Sequence, residues 1–235
     1  MAFLDLFFPK RCLGCRKEGC YFCSVCQAKI KTLELQICPV CGKPAINGQT
    51  HPFCQKRYAL DGLLSVFPYE GMIKSAVIKL KYKFITDLAD ELAILIIKNI
   101  KAHLELQFNY LNHLAKEEEK ITLVPIPLHW RRKNWRGFNQ AELLGKKLAG
   151  YFGWQLQSYL LRRQKHVRPQ VKLTGDERQQ NVQGAFAVSS GSPTADYPLI
   201  LLFDDVWTTG STLKEAGRVL KKAGFKKVWG LTIAR

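Results

Sequence analysis

The sequence predicts an α/β fold, a parallel sheet flanked by helices, preceded by a small cysteine-rich module. Three observations carry this expectation. All eight cysteines lie between Cys12 and Cys54, and none follows. Downstream, short apolar runs of strand length alternate with stretches whose apolar residues recur at helical spacing, the pattern of right-handed crossovers in a parallel sheet. Of the 235 residues 47% are apolar, enough for a buried core and incompatible with global disorder. The break in composition places a cysteine-rich zinc-binding module at 1–58 and the α/β domain at 59–235.

Within the first module the order is Cys12-x2-Cys15, Cys20, Cys23-x2-Cys26, Cys38-x2-Cys41 and His51-x2-Cys54. A two-residue spacing lets both donors of one tight turn reach the same ion, and two such turns complete a tetrahedron around zinc. Eight ligands make two sites. The sequential grouping is Cys12, Cys15, Cys23 and Cys26 in one and Cys38, Cys41, His51 and Cys54 in the other; an interleaved grouping satisfies the same spacings. Cys20-x2-Cys23 is also a valid pair that would displace Cys26, and the sequence leaves that choice open. A disulfide knot needs an oxidising compartment that nothing else in the chain supports. So few apolar residues fold poorly alone, so metal binding here is also folding energy.

The second module begins with a strand near 62–69 and a helix over 71–82. Thr86 can cap a long helix whose early turns carry Asp87, Asp90 and Glu91, where negative charge opposes the dipole. That helix runs toward the polar stretch 116–120. A compact buried strand follows over 121–126, then a basic loop, then a helix over 138–152. A polar, basic segment at 162–181 interrupts. The most apolar strand, 198–203, carries Asp204 and Asp205 at its carboxyl edge. A helix over 211–223, ended by Gly224, and a last strand over 227–233 complete the chain.

Lys and Arg number 36 against 19 Asp and Glu, a formal charge of +17. Filled zinc–cysteine sites remove only a few of these charges. The excess recurs at Arg131, Arg132, Lys133 and Arg136, at 162–172 and at 221–227, so polyanions are the obvious class of partner, nucleic acid or phosphorylated small molecules alike. No apolar run approaches the roughly 20 residues of a membrane helix. The first residues lack a basic n-region and a cleavage site, and a cytoplasmic location is expected.

The run Leu201-Leu-Phe-Asp-Asp-Val-Trp-Thr-Thr-Gly-Ser-Thr212 places two acids at a strand end and a small-residue turn at a helix start. Ligands of open α/β sheets bind outside the carboxyl ends of strands, and a helix N-terminus presents N–H groups to anions. Gly210 lets the backbone approach closely. Thr208, Thr209, Ser211 and Thr212 add hydroxyl donors, so the turn Val206, Trp207, Thr208, Thr209, Gly210, Ser211, Thr212 suits a phosphate monoester. The adjacent acids suit vicinal ribose hydroxyls or a magnesium ion bound to them.

This run resembles the phosphoribosyl pyrophosphate (PRPP) motif of type I phosphoribosyltransferases. The resemblance implies that Asp204 and Asp205 hold the ribose hydroxyls, directly or through magnesium, and that residues 206–212 cradle the 5′-phosphate. Trp207 departs from the family pattern, where the position is usually aliphatic. Val124-Pro-Ile-Pro-Leu128, Arg131-Arg-Lys, Arg136-Gly-Phe-Asn-Gln140, Gln170, Leu173, Glu177-Arg178, Asn181 and Gly184-Ala-Phe186, downstream of cysteine pairs, resemble the ComF family over essentially the whole chain. That resemblance implies a type I phosphoribosyltransferase-like sheet behind a zinc-ribbon module, and a role in DNA uptake and natural transformation beside other DNA-uptake proteins.

Mapped onto phosphoribosyl transfer, Arg131, Arg132 and Arg136 become counter-charges for pyrophosphate. Residues 164–178 become a loop closing over it, with Arg168, Lys172 and Arg178 stabilising its departure. The basic surface suits single-stranded DNA, with Trp130, Trp135, Phe138 and Tyr151 as stacking groups. Two rival readings remain: an enzyme that transfers phosphoribose to a nucleobase or related acceptor, for which no acceptor pocket is visible in the sequence, and a sensor in which ligand biases partner binding.

Overall fold

The computed structural model describes residues 10–82, 86–114, 121–164, 182–189 and 194–235. Among the described residues the cysteine-rich part contains one short helix, α1 (Ser24–Gln27), and two single 3-10 turns at Ile46–Gly48 and Pro52–Cys54. Then follow β1 (Gly62–Phe67), α2 (Gly71–Tyr82), α3 (Thr86–His103), α4 (Glu105–Leu114), β2 (Thr122–Pro125), α5 (Trp130–Arg136), α6 (Gln140–Phe152), β3 (Gln155–Leu156), β4 (Leu161–Arg163), β5 (Phe186–Val188), β6 (Ile200–Val206), α7 (Ser211–Lys222) and β7 (Val228–Ala234).

Five strands form one parallel sheet in the order β1-β7-β6-β2-β3, and β4 and β5 form a separate antiparallel pair. Alternation along the strands sorts the core into two layers. Leu201, Phe203, Trp229, Leu231 and Ile233 point to the face covered by α2, α3 and α6, whereas Ile200, Leu202 and Val228 meet Leu213, Ala216 and Leu220 of α7 on the other. Crossovers leave β2 and β6 in opposite directions, β2 toward β3 and β6 toward β7. The crevice at the carboxyl ends of β2 and β6 is therefore the switch point of the sheet.

Three local outcomes differ from the sequence expectation. The long helix after residue 86 breaks at Leu104, which is buried; the Leu104 N–H still donates to the Ile100 carbonyl and its own carbonyl accepts from Phe108, so bonding continues through the bend. The basic loop after β2 contains α5, whose cap is the His129 side chain accepting from the Arg131 N–H and whose end is Gly137 in the left-handed region. Strand β6 runs on through Val206, so both acids belong to the strand itself. Asn139 ties the start of α6 to the end of β2: its side chain accepts from the Ala141 N–H and donates to the Ile126 carbonyl.

The cysteine-rich segment runs along β1, the edge strand. The buried Gln36 amide donates to the Ser65 carbonyl at 3.1 Å and accepts from the Ser65 N–H at 2.9 Å, pairing with β1 as a neighbouring strand would. Among the described residues no helix is long and apolar enough to cross a membrane.

Candidate functional site

Two clusters of thiol and imidazole donors form where the cysteine spacings converge. The ligand atoms of Cys12, Cys15, Cys23 and Cys26 lie within 4.8 Å of one another, as do those of Cys38, Cys41, His51 and Cys54. The structure thus brings together the sequential groups, and all eight cysteines are free thiols. Cys20 stands outside both clusters. Burial, with the charge of Glu91, holds its thiol above the ordinary range.

The donor sets fit zinc. A tetrahedron with zinc–sulfur bonds of about 2.3 Å has edges near 3.8 Å, and the Cys15 and Cys23 sulfurs are 3.6 Å apart. In the second cluster His51 Nε2 donates to the Pro44 carbonyl at 2.9 Å. The ring is thereby fixed with the Nδ1 lone pair toward the thiols, 3.4 Å from Cys41 Sγ. Without a cation the thiols do not ionise alike. Burial opposes charge on Cys12, but backbone hydrogen bonds from Cys23, Cys15 and Gly14 outweigh it and bring that thiol down to about 6. Its neighbour Cys26, hydrogen-bonded to Cys23 and buried, is pushed up to about 12. Cys38, at about 7, and Cys54, at about 11, repeat the contrast. A divalent ion allows every member of such a set to ionise.

The two clusters face different parts of the α/β domain. Beside the first, Glu91 of α3 accepts from the N–H groups of Tyr21 (2.8 Å) and Phe22 (3.1 Å), whose rings enter the core. Gly14 is pressed between Cys26 and Met72 of α2; a Cβ there meets both sulfurs at 2.8 Å. Beside the second, residues 37–42 form one wall of a cavity of about 370 Å³, and Trp207, Thr208, Thr209, Lys214 and Arg235 form the other.

At the switch point, the Asp204 carboxylate accepts from the Asp205 N–H (2.8 Å) and Asp205 from the Val206 N–H (2.9 Å). Lys81, in the last turn of α2, places its ammonium 2.5 Å from Asp205 Oδ2. Burial and the neighbouring Asp205 charge push Asp204 up to about 8. Burial works against charge on Lys81, but Asp205 outweighs it and raises the ammonium above its ordinary range. Sequence reasoning missed Lys81; its one local signal is the run of lysines Lys79, Lys81 and Lys83 at the end of a helix that follows β1.

The turn after β6 is pinned by Trp207, whose N–H donates to the Ala234 carbonyl and whose side chain is buried in the core layer on the α7 side of the sheet. Gly210 has φ +71°, and a Cβ there would sit 2.2 Å from the Trp207 ring, so the tryptophan and the glycine require each other. Thr209 and Ser211 share a hydroxyl contact of 2.9 Å, and Lys214 donates to the Thr209 carbonyl. No side chain caps α7 at Gly210. A helix start without a capping oxygen leaves its first N–H groups to another acceptor.

The remaining sequence-derived residues among those described gather mostly on α5. Arg131 is exposed, its guanidinium 5.3 Å from the Trp130 ring centre. Arg132 lies on α5. Arg136 is buried and donates to Gln140 at 3.1 Å, which makes it a brace between α5 and α6. Trp130 and Trp135 are 59% and 61% exposed and Tyr151 is exposed, while Phe138 packs against the core. Arg168, Lys172 and Arg178 lie outside the described residues. After β4 the described chain resumes at Val182, and the Gly184 N–H donates to the buried Glu215 at 2.7 Å.

These features define a class: an α/β protein with a polar strand-end turn at its switch point and a cysteine-rich module on its edge strand. Comparison with known proteins agrees. The double zinc ribbon domain family matches residues 3–56. Competence protein F of Haemophilus influenzae is 30% identical over 241 residues, covering 97% of this chain and 99% of that protein. DNA utilization protein YhgH of Salmonella typhimurium is 30% identical over 222 residues, 89% of this chain and 88% of that protein. Competence protein ComFC of Bacillus subtilis is 28% identical over 217 residues, 86% and 78%. The chain belongs to the ComF family.

Proposed function

We propose that this protein binds PRPP with magnesium at the end of β6 and binds single-stranded DNA on its basic surface, and that it acts in DNA uptake. The observation that carries the ligand reading is the strand end itself. Asp204 and Asp205 close β6 at the switch point, directly before a turn that opens a helix without a side-chain cap. Under this reading the sheet is of the type I phosphoribosyltransferase kind, 1–58 and 59–235 are its two domains, and the eight clustered donors hold two zinc ions.

In this arrangement the turn 206–212 takes the 5′-phosphate through backbone N–H groups and the hydroxyls of Thr208, Thr209, Ser211 and Thr212. Asp204 and Asp205 take the ribose hydroxyls. The Asp205 carboxylate already holds one cation, the Lys81 ammonium, which supports its suitability for another. Magnesium bound with the ligand supplies charge neutralisation at the diphosphate. Arg131 and Arg132, on the helix that follows β2, provide further positive charge near the same sheet edge, and Arg168, Lys172 and Arg178 are proposed to close over the leaving group.

The role in DNA uptake is drawn from the names of the relatives, competence protein F and DNA utilization protein. The exposed Trp130 and Trp135 beside Arg131 and Lys133 support a DNA surface, since bases stack on aromatics while cations meet phosphates. Fluorescence anisotropy with labelled oligodeoxythymidine at rising salt tests this half: affinity that falls steeply with salt is expected, and no binding at low salt removes it.

A second reading, phosphoribosyl transfer to an acceptor, is favoured by the cavity beside Thr208 and Thr209, which has room for more than one phosphate. Phosphorus NMR of PRPP with the protein and a panel of nucleobases decides between binding and transfer. Pyrophosphate release that requires a base supports transfer, and intact PRPP throughout the panel supports binding alone.

A further inference from the structure

We infer that Lys81 is a built-in cation that occupies Asp205 in the ligand-free chain, so that a divalent ion enters this site together with a diphosphate-bearing ligand and not ahead of it. The inference rests on the PRPP reading of the strand end. Its starting point is the ion pair of Lys81 Nζ with Asp205 Oδ2 at 2.5 Å, with side chains only 24% and 9% exposed. The other Asp205 oxygen is committed to the Val206 N–H, and Asp204 gives one oxygen to the Asp205 N–H. The ammonium therefore sits on the carboxylate oxygen of Asp205 that β6 itself does not use.

Lys81 is delivered there by the fold. Strands β1, β7 and β6 are parallel and adjacent, and α2 leaves the carboxyl end of β1 on the face opposite α7. The apolar side of α2, Ile73, Ala76, Val77 and Leu80, is buried in the core on this face of the sheet, and Lys81 follows Leu80 in the last turn, beside the acids. Lys81 thus meets Asp205 from a helix whose apolar side is buried, with both side chains largely out of solvent, a different situation from a surface lysine that finds a carboxylate by chance.

The consequence follows from charge. A divalent ion arriving alone must displace an ammonium from a buried carboxylate and leave that ammonium without the carboxylate it pairs with. A diphosphate ester changes the balance because its oxygens give the released ammonium a new partner as the carboxylate turns to the metal and the ribose. Metal and ligand then bind as one unit. Lys81 acts with opposite signs on two measurable quantities: it weakens the binding of the bare metal and strengthens the binding of the metal–ligand complex.

Manganese serves as the probe, since free hexaaqua manganese is counted directly by electron paramagnetic resonance. The full-length, zinc-loaded protein is titrated with manganese alone. Wild type is expected to bind it weakly; Lys81→Met is expected to bind at least about tenfold more tightly, and Lys81→Met with Asp205→Asn to lose the gain. Lys81→Arg keeps the charge and should behave as wild type, which guards against an altered fold in the methionine variant. Equal manganese binding by wild type and Lys81→Met, including none by either, overturns the inference. The PRPP reading is scored separately by titrating PRPP with magnesium: tightened manganese binding in Lys81→Met without PRPP binding in any variant leaves Lys81 as the competitor of the metal and removes PRPP as the ligand.

Discussion

The two halves of the cysteine-rich module use the same spacing chemistry for different ends. The first cluster sits behind Tyr21 and Phe22, whose rings enter the main core and whose N–H groups are held by Glu91. The second sits behind residues 37–42, which form a wall of the cavity beside the strand-end turn. The first therefore fastens the module to α2 and α3, and the second shapes the space in which a ligand of the turn would lie. Removing one should cost stability; removing the other should cost affinity.

The largest effect is expected at the first cluster. Phe22→Ala should lower stability by about 3 kcal/mol and Glu91→Ala by about 2 kcal/mol, the latter because two N–H groups lose their acceptor; chemical denaturation checks both. Cys12→Ser should reduce the zinc content from two to one and lower the melting temperature further than either. At the second cluster, Cys54→Ser should also lose one zinc ion but reduce PRPP affinity by about tenfold with a smaller fall in melting temperature, because Cys54 is only partly buried and its loss frees the 38–41 knuckle that lines the cavity. A Cys54→Ser protein with unchanged ligand affinity would break the comparison.

Smaller effects sharpen it. Trp130→Ala or Trp135→Ala should weaken single-stranded DNA binding by about 1 kcal/mol each and leave PRPP binding and stability unchanged, since both rings are exposed. Asp204 gives a pH dependence. Its folded-state value, about 8, lies above the ordinary value of about 3.9, so the folded chain favours the protonated acid. That contribution is complete below about pH 4 and is lost as pH rises through 8. The ligand-free melting temperature should decline across this window, and Asp204→Asn should flatten the decline.

What could be read from the sequence was local. Paired cysteines encode a turn, and the run from Asp204 to Thr212 encodes a strand end, a turn and a helix start within a dozen residues. The sequential grouping of the donors is one of several that the spacing allows; packing selects it and leaves Cys20 aside. Lys81 escaped because its partner is distant in the chain and reaches it only through the parallel arrangement of β1, β7 and β6. Helix α5 escaped because its seven residues carry no apolar period and its cap is a histidine. The burial of Arg136 has the same origin: burial is a property of the assembled fold, and an arginine in a basic run carries no sign of it. The pairing of Trp207 with Gly210 was half legible, since the glycine marked a turn but gave no hint that a bulky ring would lie against it.

The proposed PRPP site at the end of β6 is open to direct test. Calorimetric titration of the zinc-loaded protein with PRPP and magnesium, comparing wild type with the Asp204→Asn, Asp205→Asn double variant, tests it most directly. Saturable binding by wild type that disappears in the double variant is the expected result. Absence of binding by wild type, or equal binding by the double variant, would contradict it.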